Sequence, residues 1–125
     1  KDIRLTGKCD KVILIGSDIL IYRLVYNLVE NAIKYNISGG TVTVTATQRD
    51  KHIYLAVEDT GNGIPEELKE RIFEPFFRLD KSRSRELGGV GLGLALVHEI
   101  VRVHDGSIFV KDNANSGTTF EVIFS

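Results

Sequence analysis

Apolar and polar positions along this chain change period several times. Ile3-Arg4-Leu5-Thr6 alternates and Val12-Ile13-Leu14-Ile15 is a short apolar run; Gly7 and Gly16 close them, and both read as strands. Ser17-Asp18 supplies helix-capping chemistry before a long helix from about Ile19 to Asn36. In that helix Leu24, Leu28 and Ala32 recur at four-residue steps, with Val25 and Val29 beside them, as a core-facing stripe does. Gly39-Gly40 is a turn. Thr41-Val42-Thr43-Val44-Thr45-Ala46 alternates and Ile53-Tyr54-Leu55-Ala56-Val57 is a buried-looking run, so the two read as neighbouring strands across the polar turn Arg49-Asp50-Lys51. Pro65 suits a first helical position and Glu66 and Glu67 suit the helix dipole, which predicts a helix to about Ile72. From Phe73 to Gly89 the chain is polar and irregular behind an apolar head of Phe73, Phe76 and Phe77; loops of this length in a compact domain are usually functional. A further helix spans about Leu92 to His104 with Gly106 as its stop signal, and strands at Ser107–Val110 and Thr119–Phe124 finish the chain. Strands paired between helices predict an α+β fold: a two-layer sandwich with one mixed β-sheet and helices packed on one face. Residues 1–125 read as one domain with no repeat, linker or low-complexity tract.

Composition narrows this picture without redirecting it. The 125 residues, 42% hydrophobic and 26% charged, suffice for one domain with a real core. A formal net charge of −1 provides no global field for nucleic acid or acidic lipid, so neither is expected as a partner. No apolar run approaches the roughly 18 residues of a membrane span, and no signal peptide is read. The single Cys9 cannot form an internal disulfide, which fits a reducing compartment. The chain opens at Lys1 and contains no Met, so the expectation is a piece of a larger parent.

Three stretches carry chemistry. Asn27, Asn31 and Lys34 fall at i, i+4 and i+7 within Asn27-Leu28-Val29-Glu30-Asn31-Ala32-Ile33-Lys34-Tyr35, on one helix face away from the core stripe. Carboxamide oxygens are hard, neutral ligands suited to Mg²⁺, and a lysine ammonium is a point charge for phosphate. The alternative is a solvated polar face, although two asparagines inside a helix call for some reason. Asp59 ends a buried strand and opens Asp59-Thr60-Gly61-Asn62-Gly63-Ile64-Pro65; its carboxylate can accept from an exocyclic amine such as that of adenine while glycines let backbone approach a flat base. The plainer reading is a turn after a strand. Gly88, Gly89, Gly91 and Gly93 precede a helix, where backbone amides form an anion site, or else a mobile hinge. Arg78, Lys81, Arg83 and Arg85 against Asp80 and Glu86 give that loop +4 and −2, net +2. His52, His98 and His104 show no metal-ligand spacing and read as surface or structural.

In this order the stretches resemble the catalytic ATP-binding domain of sensor histidine kinases, in the GHKL ATPase/kinase superfamily. Asn27–Tyr35 resembles the N box, Asp59–Gly63 the first G box, Phe73-Glu74-Pro75-Phe76-Phe77-Arg78 the F box, Gly89–Leu94 the second G box and Gly117-Thr118 the last glycine motif. The resemblance implies ATP and Mg²⁺. It implies that Asn31 holds the metal with support from Asn27, that Lys34 and Arg78 neutralise phosphate charge, and that Tyr35 borders base and ribose. It further implies that Asp59 reads the adenine amine in a pocket shaped by Gly61, Gly63 and Ile64. Gly89, Gly91, Leu92, Gly93 and Leu94 would belong to a mobile lid over the phosphates, and Thr118 would support the base through water. The phenylalanine cluster would pin the lid's root or dock on a neighbouring helical domain.

ATP-hydrolysing members of the superfamily carry a Glu four residues before the metal Asn. Here that position is Asn27, and Glu30 points about 100° away from Asn31 around the helix. The resemblance therefore implies phosphoryl transfer, dominated by positioning and electrostatics, to a His on a separate dimerisation and phosphoacceptor domain of the parent, then to a response regulator. None of the three histidines here has the family's acceptor context, so the isolated chain is expected to bind ATP as a monomer without phosphorylating itself. A cytoplasmic location is expected, under a parent that could be an inner-membrane sensor. The alternatives are a protein serine kinase of the same superfamily, an ATP hydrolase, and an ATP-binding docking module without chemistry.

Overall fold

The structure is a computed structural model that describes residues 3–9, 16–75, 77, 93–113 and 116–124. Its strands are β1 (Arg4–Cys9), β2 (Thr41–Arg49), β3 (His52–Asp59), β4 (Ser107–Asp112) and β5 (Thr118–Phe124), and its helices are α1 (Asp18–Lys34) and α2 (Gly93–Val103). The sheet order is β1-β2-β3-β5-β4. β1 and β2 pair in parallel and every other pair is antiparallel, so the sheet is mixed as expected. The β2–β3 hairpin closes through Asp50-Lys51, with Asp50 at φ 56.

Alternation decides which face is covered. Val42, Ile53, Leu55, Val57, Phe120, Val122 and Phe124 are buried from β2, β3 and β5, and α1 presents Leu24, Leu28 and Ala32 against them. α2 adds Val97, Ile100 and Val101, and Ile72 closes the layer. Full burial of one such side chain contributes about 1.5–3 kcal/mol. The opposite face carries Thr43, Thr45, Thr47, Tyr54, Ala56, Glu58, Glu121 and Ile123, none of them buried.

α1 starts where expected: the Leu20 amide donates to Ser17 Oγ at 3.3 Å and the Ile21 amide to the Ser17 carbonyl at 2.9 Å. It ends at Lys34, before Tyr35 and the expected Asn36: Tyr35 caps it with φ −101 and ψ 14, outside the helical region. α2 ends in a paired motif. The Asp105 amide donates to Arg102 O at 3.1 Å and the Gly106 amide to Val101 O at 2.9 Å. The left-handed residue is Asp105 (φ 55), and at Gly106, the expected stop signal, a Cβ would stand 2.9 Å from Ile123 O.

Two other expectations are corrected. The helix expected from Pro65 to Ile72 is instead a pair of 3₁₀ turns, Glu66–Leu68 and Arg71–Phe73. Glu66, Glu67 and Glu70 face solvent and Ile72 is the one fully buried side chain, too little apolar contact to hold a short α-helix. β1 runs through Gly7, which pairs with Val44 in the parallel ladder, instead of stopping there. The strand expected at Val12–Ile15 lies outside the described residues.

The two helices run antiparallel. A Cβ on Gly93, at the start of α2, would lie 3.2 Å from Asn27 Oδ1 in the middle of α1. At the other end the Ser17 amide donates to His104 Nε2 at 3.2 Å, and His104 Nδ1–H donates to the Ile100 carbonyl at 2.8 Å.

Among the described glycines the tightest backbone approach is at Gly117, whose φ is 103 and whose Cβ, if present, would sit 2.0 Å from Asp59 O. Gly39 also has positive φ (80) but nothing within 4 Å. Gly39→Ala should therefore cost only the conformational term, about 1–2 kcal/mol. Gly117→Ala adds a backbone clash and should cost on the order of 3 kcal/mol or more. Urea denaturation of the two variants checks this; equal losses would contradict it.

Candidate nucleotide-binding site

Asp59 is the last residue of β3 and only 7% exposed. Its Oδ1 accepts from the Gly61 amide at 2.9 Å and from the Thr118 amide at 3.2 Å. Burial pushes the carboxyl above its ordinary pKa; the two amides pull it down and the neighbouring charge of Glu58 adds to the push. A carboxylate at this position costs folding free energy and is aimed by backbone on two sides.

The surrounding loop is fixed by close contacts. A Cβ on Gly61 would meet Tyr35 O at 2.5 Å, so the loop after β3 rests on the end of α1. Gly63 has φ 79 and lies near Gly117 O. The Asn113 side chain donates to Asp59 O at 2.6 Å, Asn113 Oδ1 accepts from the Thr119 hydroxyl, and Ser116 Oγ donates to Gly61 O at 2.7 Å. Asn36 is wholly buried. Its Nδ2 donates to Thr41 O at 2.9 Å and its Oδ1 accepts from the Ile37 amide at 2.8 Å. Asn36, Asn113 and Ser116 were not singled out from the sequence. Their one signal is the presence of turn-forming residues just past a helix or between strands, which fits many surface loops equally well.

Of the expected site residues, Asn27, Asn31, Lys34 and Tyr35 share one side of α1 and its end, and Asn27, Asn31 and Tyr35 are half-buried. Asn27 Nδ2 donates to Arg23 O at 2.8 Å, which leaves its carbonyl oxygen toward Gly93. Lys34 Nζ lies 3.2 Å from Glu30 Oε1. A hydrogen bond from the Tyr26 hydroxyl, then Lys34, holds the Glu30 carboxyl below its ordinary pKa. Ile64 and Leu94 pack against the core and Thr118 is buried. The Phe73 ring centroid lies 6.2 Å from that of Phe120 and 5.5 Å from that of His98. Arg78, Gly89, Gly91 and Leu92, with Phe76 and Gly88, lie outside the described residues.

Among the described residues no cluster of three or more His, Cys, Asp or Glu side chains could hold a metal. Magnesium held by a carboxamide and phosphate oxygens needs no such cluster, and the half-exposed Asn31 is a donor of that kind. The structure thus sets a buried carboxylate in a glycine loop that rests on the end of the helix carrying the carboxamides and the lysine. Residues 16–125 match the family described as histidine kinase-, DNA gyrase B-, and HSP90-like ATPases. The chain belongs to this ATPase family.

It is 42% identical over 107 residues to the sensor histidine kinase RppB of Synechocystis, and 41% identical over 109 residues to the sensor protein CiaH of Streptococcus pneumoniae. Those alignments cover 86% and 87% of this chain but 24% of either relative, so the chain spans about a quarter of the length of the curated relatives it matches. Among solved structures it resembles the mycobacterial sensor histidine kinase MprB, with TM-score 0.87, 34% identity, and coverage of 98% of this chain and 81% of that one. It also resembles a nucleotide-free catalytic domain of histidine kinase ThkA, with TM-score 0.83, 30% identity, and coverage of 98% and 79%. The sandwich expected from the sequence is the fold of these kinase domains.

The raised pKa of Asp59 has a measurable consequence. Its contribution to stability is fully present below the ordinary aspartate range and is lost as pH rises through the folded-state value. Asp59→Asn keeps an oxygen that can accept from both amides and removes the charge. Its melting temperature should rise relative to the parent chain as pH goes from 4 to 7; a difference independent of pH would contradict this account.

Proposed function

We propose that this chain binds Mg-ATP and is the catalytic ATP-binding domain of a sensor histidine kinase, donating the γ-phosphoryl group to a histidine on a separate dimerisation and phosphoacceptor domain. The observation that carries the reading is the Asp59 carboxylate, buried, aimed by the Gly61 and Thr118 amides, in a loop that meets the end of α1 where Gly61 approaches Tyr35 O. With both amides on Oδ1, Oδ2 is the oxygen assigned to the adenine amine. Gly61 and Gly63 form the pocket surface for the base, with Tyr35 and Ile64 at its border and Thr118 beneath it.

Asn31, supported by Asn27, would hold Mg²⁺, which when bound draws charge from the β- and γ-phosphate oxygens. Lys34 adds a positive charge on the same helix face, and Arg78 and the lid residues Gly89, Gly91, Leu92 and Gly93 are assigned to the phosphates by resemblance. Transfer forms a bond between phosphorus and an imidazole nitrogen as the bond to the ADP oxygen breaks, and the imidazole proton leaves to a base on the acceptor domain. The chain's own contribution is to orient the triphosphate and neutralise charge. Asn27 occupies the position where hydrolysing relatives carry Glu and cannot act as a base, which supports transfer over hydrolysis. The response regulator would act downstream through the parent, in the cytoplasm; no helix of the described residues is long and apolar enough to cross a membrane.

Calorimetric titration with ATP, with and without Mg²⁺ and with GTP as control, tests the reading. Metal-dependent ATP binding with GTP excluded is the expected result. Asp59→Asn should weaken ATP by about 1.5–3 kcal/mol, roughly 10–150-fold, and unchanged affinity would remove the adenine assignment. Asn31→Ala should abolish the Mg²⁺ dependence; its survival would place the metal elsewhere. Addition of a histidine-bearing helical domain should then yield phosphohistidine on that domain and none on this chain.

A further inference from the structure

Beneath the adenine-reading loop four chain segments meet: the end of α1, the turn at 37–40, the start of β2 and the end of β3. One pair of side chains ties them together. Asn36 Oδ1 accepts from the Thr60 hydroxyl at 3.1 Å, nearer than the 3.4 Å to Thr41 O, and Asn36 Nδ2 donates to Thr41 O at 2.9 Å. Thr60 Oγ1 in turn accepts from the Thr41 amide at 2.9 Å. The cluster admits no extra atom: a Cβ on Gly40 would stand 2.3 Å from Asn36 Oδ1 and 2.7 Å from Thr60 Oγ1.

We propose that Asn36 and Thr60 are positioning residues for base recognition, which set the separation between the adenine-reading carboxylate and the helix end that borders the base. Thr60 lies between Asp59 and Gly61, and Asn36 follows Tyr35, so their hydrogen bond fixes both sides of the base pocket against each other. On the far side Asp59 is already held by Asn113 at its carbonyl and by Thr118 at its carboxylate. Without the Asn36–Thr60 bond the loop retains that far support, the Thr60 amide on Thr41 O at 3.2 Å and the packing of Gly61 on Tyr35 O, and loses the one side-chain bond that sets its registry with Asn36. The carboxylate then meets the amine off line, while phosphate contacts made by Asn31 and Lys34, inside α1, are untouched. Hydrogen-bond energy falls steeply with misalignment, so the loss is specific to the amine.

This inference rests on the reading of Asp59 as the adenine reader. Its test compares ATP with purine riboside 5′-triphosphate, the same nucleotide without the 6-amino group, by calorimetry on this chain. The parent chain should prefer ATP by about tenfold or more. Thr60→Val keeps the volume and removes both hydrogen bonds; its ATP affinity should fall about tenfold with the analogue unchanged, so the preference collapses. Thr60→Ser should restore it. Equal losses for both nucleotides, or a preserved preference, would overturn the proposal, since a purely structural role lowers melting temperature and both affinities together. Should Thr60→Val not fold, Thr60→Ala takes its place, with room for a bridging water; failure of both to fold assigns the pair to stability alone and overturns the proposal. A parent chain with no preference would instead remove the adenine reading itself, and this inference with it.

Discussion

The structure depends on one buried carboxylate at the end of a core strand. Asp59 follows Val57, Leu55 and Ile53 on the covered face of β3, where the next inward position would ordinarily be apolar. Placing a charge there is costly unless its oxygens are hydrogen-bonded. The backbone meets that cost by approaching closely from two directions, through Gly61 on one side and Gly117-Thr118 on the other. Each approach excludes a side chain. The glycines are therefore consequences of where Asp59 sits, as much as features of a pocket.

The second constraint is the pairing of α1 and α2. α1 carries the carboxamides and lysine assigned to metal and phosphate, and α2 begins where the lid assigned by resemblance ends. Their antiparallel contact is registered by Asn27 against Gly93 at one end and by Ser17 against His104 at the other. His104 thus has a structural duty that engages both ring nitrogens. The start of α2, beside the proposed phosphate site, cannot shift without disturbing the helix that carries Asn27 and Asn31.

The fold is shared across a family whose members hydrolyse or transfer phosphate, so the fold alone does not select the chemistry. By resemblance, the distinction is assigned to the side chain that α1 carries at position 27. Asn27 is half-buried, with its amide group turned back on Arg23 O and its oxygen toward Gly93. A carboxamide held in that way can support a neighbour or a metal's water shell and cannot accept a proton. The acidic residue of the same stretch, Glu30, is engaged instead by Tyr26 and Lys34.

The sequence by itself determined the layers and the boxes. Alternation in β2, β3 and β5 and the four-residue stripe of α1 are local periodicities, and an exposed face and a buried face follow from them without reference to any partner. The ordered stretches Asn27–Tyr35, Asp59–Gly63 and Gly117-Thr118 were legible for the same reason, since each is contiguous. Tertiary structure decided what depends on contacts between distant segments. Residues 65–73 became two 3₁₀ turns because too little apolar surface was available to bury. Asp105 took the left-handed position that lets its own amide reach Arg102 O and the Gly106 amide reach Val101 O, while Gly106 is pressed against Ile123. Asn36, Thr60, Asn113 and Ser116 became the supports of Asp59 because their partners lie 24, 54 and 55 residues away along the chain. Hydrogen bonds of that range leave no periodicity in a sequence, and only the closed fold brings their atoms within reach.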